Sequence, residues 1–188
     1  MTRNFTPDPV DPAVLDRCVD LATRAPSAGK SQGWHLLVLE GPETARYWDI
    51  AFPAGNREGF AFPGLFDAPL IAIVIADPSA YLARYSEPDK AATGLGDSTD
   101  SWPAPYWTID ASFATMTLLL ALEDAGLGAL FFAHANEPGL RAGFGLPGHV
   151  QVLGTLAIGH PSGRQPRKGA SASRPRGGAA AVLHRGKW

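Results

Sequence analysis

The spacing of apolar positions changes several times along the chain, and each change predicts an element. After Asp11-Pro12, Val14, Leu15, Cys18, Val19 and Leu21-Ala22 recur at helical spacing, and Pro26 ends the run. Residues 35–39 (HLLVL) predict a short strand, and a helix follows from Pro42 to about Ala51. The run LIAIVIAD (70–77) is continuous and rich in β-branched residues, which predicts a strand buried on both faces and ended by Asp77-Pro78. Residues 108–128 (TIDASFATMTLLLALEDAGLG) are apolar nearly all round, the pattern of a central, buried helix stopped by Gly126 or Gly128. ALFFA (129–133) predicts a strand, residues 137–143 a short helix, and VQVLGTLAIGHP (150–161) the last strand. The order of elements predicts one domain across residues 1–188, a sheet covered by helices on both faces.

Two stretches stand outside this pattern. Residues 86–107 hold three prolines, two glycines and three aromatics, and a loop that long is usually functional or mobile. The tail 161–188 carries seven positive charges (Arg164, Arg167, Lys168, Arg174, Arg176, Arg185 and Lys187) and no acidic residue. Most of the excess among 17 prolines and 21 glycines falls in these stretches, so they are excursions around a compact core.

Composition narrows the function classes. The 188 residues suffice for one sizeable core, 45% of them are hydrophobic, and 18% are charged. A net charge of −2 offers no electrostatic case for nucleic acid or an anionic membrane. No apolar run is long enough to span a bilayer, and MTRNFTPDPV lacks the apolar core of a secretion signal, so a cytoplasmic location is expected. Cys18 is the only cysteine, which excludes an intrachain disulfide and a cysteine metal cluster. His35, His149 and His160 show no metal-ligand spacing, and no nucleophile–base pair is evident.

The segment TRAPSAGKSQGW (23–34) joins the first helix to the first strand. Ser27, Ala28, Gly29 and Ser31 are too small to shield the backbone amides, while Lys30 adds a cation and Gln32 a two-way amide. Such a loop suits a planar, polar, anionic ligand that the backbone approaches closely. Most Ser/Gly-rich connections are only turns, so the loop chemistry leaves both readings open.

RAPSAGKSQGW followed by an apolar strand resembles the flavin-contacting loop of the nitroreductase family, whose pattern is Arg/Ser-x-Pro-Ser-x-x-Asn-x-Gln-Pro-Trp. The resemblance extends nearly end to end. TRNFTPDPVDPAVLDRCVDLA is similar to the family's opening, DAPLIAIVIAD to its first long central strand, and IDASFATMTLLLALEDAGLGALFF to its Asp-x-x-x-Ala-x-x-x-Leu-x-x-Ala-x-x-x-Gly-Leu-Gly helix at the dimer core. LGTLAIGHP resembles its Gly-x-x-x-x-Gly-x-Pro strand end, and SASRPRGG with VLHRGKW its basic tail.

This resemblance implies an α+β fold, a three-layer α/β/α sandwich around a central mixed sheet, that forms a homodimer with FMN at the subunit interface. NAD(P)H would reduce the flavin, which passes electrons to a nitroaromatic, quinone or related acceptor. Relatives on the same fold instead dehydrogenate peptides or fragment FMN, and a non-catalytic flavin-binding member is a third alternative.

The resemblance also implies roles for residues. Arg3, two before Phe5, would meet the flavin pyrimidine edge and stabilise the reduced, anionic ring. Ser27, Gly29, Lys30 and Gln32 would line the flavin; Lys30 replaces the usual Asn and either reaches the phosphate or ribityl chain or points to water. Phe132, Ala133 and His134 occupy the segment whose backbone faces flavin N5 and O4, where the family often has Gly; His134 is a proton donor, a steric gate or a packing residue. Arg174 and Arg176 match the basic pair that grips the FMN phosphate. The family's paired upstream arginines would precede Met1: either the true start lies upstream, or phosphate binding rests on Lys30, Arg174 and Arg176. Trp102, Tyr106 and Trp107 either line the acceptor pocket or pack the surface, Trp34 packs beneath the loop, and Trp188 anchors on the partner subunit.

Overall fold

A computed structural model describes residues 1–164 and 173–188; the expected tail cations Arg167 and Lys168 lie outside the described residues. Four strands, β1 (Trp34–Glu40), β2 (Leu70–Ala76), β3 (Gly128–Phe132) and β4 (Gln151–Gly159), form one sheet in the order β1-β2-β4-β3. Helices α1 (Pro12–Ala22) and α4 (Tyr106–Asp124) cover one face. On the other lie α2 (Pro42–Ala51), α5 (Glu137–Phe144) and the 52–66 segment, while α3 (Pro78–Tyr85) packs at one end of the sheet. A short helix, α6 (Ala179–Val182), lies in the tail. This is the expected α+β, three-layer arrangement.

The alternation along β2 explains the layering. Ile71, Ile73 and Ile75 point to the α2–α5 side, and Leu70, Ala72 and Val74 point to the α1–α4 side, so every β2 residue is buried. Tyr47 of α2 donates its hydroxyl to Thr155 of β4 at 2.9 Å; burial pushes that phenol up to about 12.

The expected mixed sheet is corrected. All three described pairings are antiparallel. α4, about 28 Å long, carries the chain back along the sheet, so β3 runs parallel to β2. The two are not neighbours, however, because β4 inserts between them with the opposite sense.

Helix α3 was absent from the sequence-based expectation. Asp77 caps it by accepting from Ser79 N–H at 2.8 Å, with Pro78 in the first turn, so the pair that ends β2 also begins a helix. Part of the expected 86–107 loop is structured: 3-10 turns form at Ala91–Thr93 and Thr99–Ser101, and α4 already begins at Tyr106. Among the described residues no helix is long and apolar enough to cross a membrane.

Candidate functional site

A cavity of about 400 Å³ opens on the α2–α5 side, beside the end of β3. Its walls are aromatic: Tyr47, Trp48 and Phe52 from α2 and its end, Phe60 and Phe62 from the following segment, and Phe131 and Phe132 from β3. Trp48 stacks parallel to Phe132 at 5.9 Å and meets Phe66 edge-on at 4.9 Å. The main side-chain charge in this lining is Arg3, whose guanidinium lies 5.1 Å from the Phe62 ring centroid. The N-terminal segment is held in place by a Thr2 N–H to Ala129 carbonyl bond of 3.0 Å and a Thr6 N–H to His160 carbonyl bond of 2.9 Å. Flat apolar walls with one cation suit a planar aromatic ligand that carries an electron-rich edge.

Arg3, Phe132 and Ala133 are therefore brought together at one cavity. His134 follows directly, but its ring turns toward α5, where Nε2 meets Glu137 Oε2 at 2.8 Å. The carboxylate selects the tautomer with the proton on Nε2. Arg141 holds the other Glu137 oxygen at 2.7 Å and donates to the Pro147 and Val150 carbonyls. Bonds from His134 and Arg141 hold the Glu137 carboxyl below the usual carboxylate range. A depressed folded-state value adds stability that is intact above the unfolded carboxyl value and is lost as pH falls through the folded one. Glu137→Gln is accordingly expected to lower the melting temperature at neutral pH and to change it little in acid, so the acid side of the melting-temperature profile flattens.

The loop residues Ser27, Gly29, Lys30 and Gln32 do not line this cavity. They lie at the end of α1, where Ser27, Lys30 and Gln32 border a separate open hollow. Gly29, Lys30 and Gln32 have φ of 61°, 60° and 55°, left-handed backbone that costs a residue bearing a side chain on the order of 1 kcal/mol or more. Internal bonds help to hold it: Lys30 N–H to the Ser27 carbonyl at 2.9 Å, Ser31 Oγ to the Ala28 carbonyl at 2.7 Å, and Gln32 N–H to Ser27 Oγ at 3.2 Å. At the loop's end Gly33 lies against the next turn: a Cβ there would sit 2.6 Å from the Asp77 carbonyl oxygen.

Trp102 and Trp107 are buried with Tyr81 in a third core cluster. Trp102 donates to the Leu95 carbonyl at 2.8 Å and Trp107 to Gln151 at 3.0 Å; Tyr106 stays partly exposed beside Trp102. Trp34 packs beneath the loop, its indole 3.2 Å from Thr115 Oγ1. Arg174, Arg176 and the rest of the described tail are exposed, and Trp188 stacks on His184 at 4.1 Å. Among the described residues no group of three His, Cys, Asp or Glu is placed to hold a metal ion.

Sequence reasoning missed the Phe52, Phe60 and Phe62 walls. Four phenylalanines within residues 52–66, between the second helix and second strand, were the available signal. It also missed the side chains that hold the 27–32 loop from behind.

A sequence profile of the Nitroreductase family matches residues 1–160. The chain is 28% identical over 178 residues to an "NADH dehydrogenase" of Thermus thermophilus, covering 85% of this chain and 82% of that protein. It is 27% identical over 178 residues to a "5,6-dimethylbenzimidazole synthase" of Rhodospirillum rubrum, covering 87% and 79%. Its fold superimposes on an "FMN-dependent Nitroreductase" from Clostridium difficile with a TM-score of 0.65, 17% identity, and coverage of 100% and 94%.

Proposed function

The chain belongs to the nitroreductase family, and from that premise we propose that it is an FMN-dependent oxidoreductase that takes electrons from NAD(P)H and delivers them to a nitroaromatic, quinone or similar flat acceptor. The observation that carries this reading is the aromatic cavity with Arg3 as its cation. Its shape and donor set fit an isoalloxazine ring.

Bound FMN would supply the two-electron chemistry between donor and acceptor. The residues do the rest. Arg3 presents positive charge where the reduced ring gathers negative charge, which favours reduction. Phe132, Ala133 and His134 offer backbone to the ring edge, with the His134 side chain drawn aside by Glu137. Phe60 and Phe62 exclude water from the ring. Lys30, Arg174 and Arg176 are assigned to the phosphate, where guanidinium forks match its oxygens. Tyr106, with Trp102 and Trp107 shaping it from beneath, is assigned to the acceptor.

Two copies complete the site. Phe113, Met116 and Leu120 of α4, spaced i, i+3 and i+7, are half-exposed on the side away from the core. Pairing through this stripe would cover it and bring the 27–32 loop of one copy to the cavity of the other. Ser27, Gly29, Lys30 and Gln32 then serve the neighbouring flavin, which accounts for their separation from the cavity within one chain.

The test is an anaerobic titration. The FMN-loaded protein is expected to lose its flavin absorbance on adding NADH or NADPH and to recover it on adding a quinone; flavin that neither nucleotide bleaches would reject the electron-donor assignment. The likeness to a 5,6-dimethylbenzimidazole synthase favours a second reading, oxygen-dependent fragmentation of reduced FMN. Incubation with reduced FMN and oxygen separates the two: a ring-fragmentation product would replace the first reading.

A further inference from the structure

The left-handed backbone at Lys30 and Gln32 persists only where neighbours over-determine it. Two side chains from other elements do so. Asp110, buried in the first turns of α4, accepts the Ala28 N–H at 2.7 Å and the Tyr81 hydroxyl at 2.9 Å, both on Oδ2. Arg84, near the end of α3, donates from Nε to the Gly29 carbonyl at 2.8 Å. The two terminal nitrogens of Arg84 are clasped by Asp89 at 2.7 and 2.8 Å, with Glu87 at 3.0 Å. The Tyr85 ring closes the remaining side: a Cβ on Gly29 would lie 2.8 Å from it.

The chemistry of these groups exceeds what packing asks for. The next buried positions of α4 are Ala111, Ala114, Thr115 and Leu118, none of them charged, yet Asp110 is a carboxylate buried in their company. A buried carboxylate is retained at a cost unless its oxygens have work to do, and here one oxygen fixes a loop amide. Asp89 belongs to the excursion after α3, whose Leu95 carbonyl is tied to Trp102. That excursion therefore buttresses the back of the loop, and it contributes no residue to the aromatic cavity.

We propose that Asp110 and Arg84, the latter oriented by Asp89, are positioning residues that hold the 27–32 loop in the shape in which it meets the flavin of the paired copy. The inference rests on the FMN reading above. Neither residue touches the flavin; each acts through the loop backbone.

Three measurements on the flavin-stripped protein test it: FMN binding by quenching of flavin fluorescence, amide hydrogen exchange, and thermal melting. Arg84→Met keeps the stem and removes the fork. It is expected to weaken FMN binding about tenfold and to speed exchange of the 28–32 amides, with β2 exchange unchanged and the melting temperature within about 2 °C of the parent. Asp89→Asn is expected to act in the same direction and more weakly, and Asp110→Ala more strongly. If Asp110→Ala fails to fold, the two surface variants still decide. Arg84→Met with parental FMN affinity, or with parental exchange at 28–32, would overturn the proposal. If the parent protein itself fails to bind FMN, the flavin reading falls, and exchange at 28–32 in Arg84→Met still tells whether the latch exists.

Discussion

Leu120→Arg on α4 is expected to leave the protein as single chains in sedimentation velocity and to lower its FMN affinity by about a hundredfold or more. Leu120 is 59% exposed, Met116 53% and Phe113 49%, although α4 is otherwise the most deeply packed helix of the fold. Covering side chains of this size contributes about 1.5–3 kcal/mol each, and a twofold interface counts every one twice. An unpaired guanidinium at its centre reverses that gain and adds a desolvation cost of several kcal/mol. Because each site would need the 27–32 loop of the other copy, cofactor affinity should fall together with pairing. Glu58→Lys, on the exposed segment after α2, is the control and should change neither. A Leu120→Arg protein that stays paired, or that separates and still binds FMN as tightly as the parent, would refute the shared-site reading.

The second large effect concerns folding. Ile73→Ala, at the centre of β2, is expected to cost about 2–5 kcal/mol and to lower the melting temperature by roughly 10 °C. Ile73 has no solvent exposure and lies in the core cluster between the sheet and α2–α5. Its neighbour across the ladder, Leu37 on β1, is only partly buried, so Leu37→Ala should cost less than half as much. Urea denaturation of both variants gives the comparison. Equal losses would mean that the edge strand is covered as deeply as the central one.

The contrast between these strands shows what could be read from the residues alone. β2 was legible because burial on both faces leaves an unbroken apolar run, and α1 because Asp11, Pro12 and a helical stripe agree. α3 was hidden because Asp77-Pro78 marks a strand end and a helix start with the same two residues. The antiparallel sheet was hidden because strand order is a property of where β4 inserts, and no local spacing encodes that. Arg3, which lines the cavity, was legible through motif; the 27–32 loop was legible as a motif too, but within one chain it stands apart from the cavity. The Phe60 and Phe62 walls were not legible, because a cavity wall asks only for apolar bulk. Asp110 was visible as a motif letter, but its bond to Ala28 spans 82 residues and carries no spacing signal.

Phe52, Phe60 and Phe62 belong to the stretch that joins α2 to β2, outside every strand and mostly beyond the last turn of α2. Tyr47, Trp48, Leu65 and Leu130 serve the hollow and the core alike, whereas Phe60 and Phe62 are only partly buried and lie outside the sheet. Transplanting residues 53–62 from another member of the lineage should therefore alter which compounds are turned over at a smaller thermal cost than replacing Tyr47 or Leu130. Selection acting on that short stretch can diversify chemistry without rebuilding the scaffold.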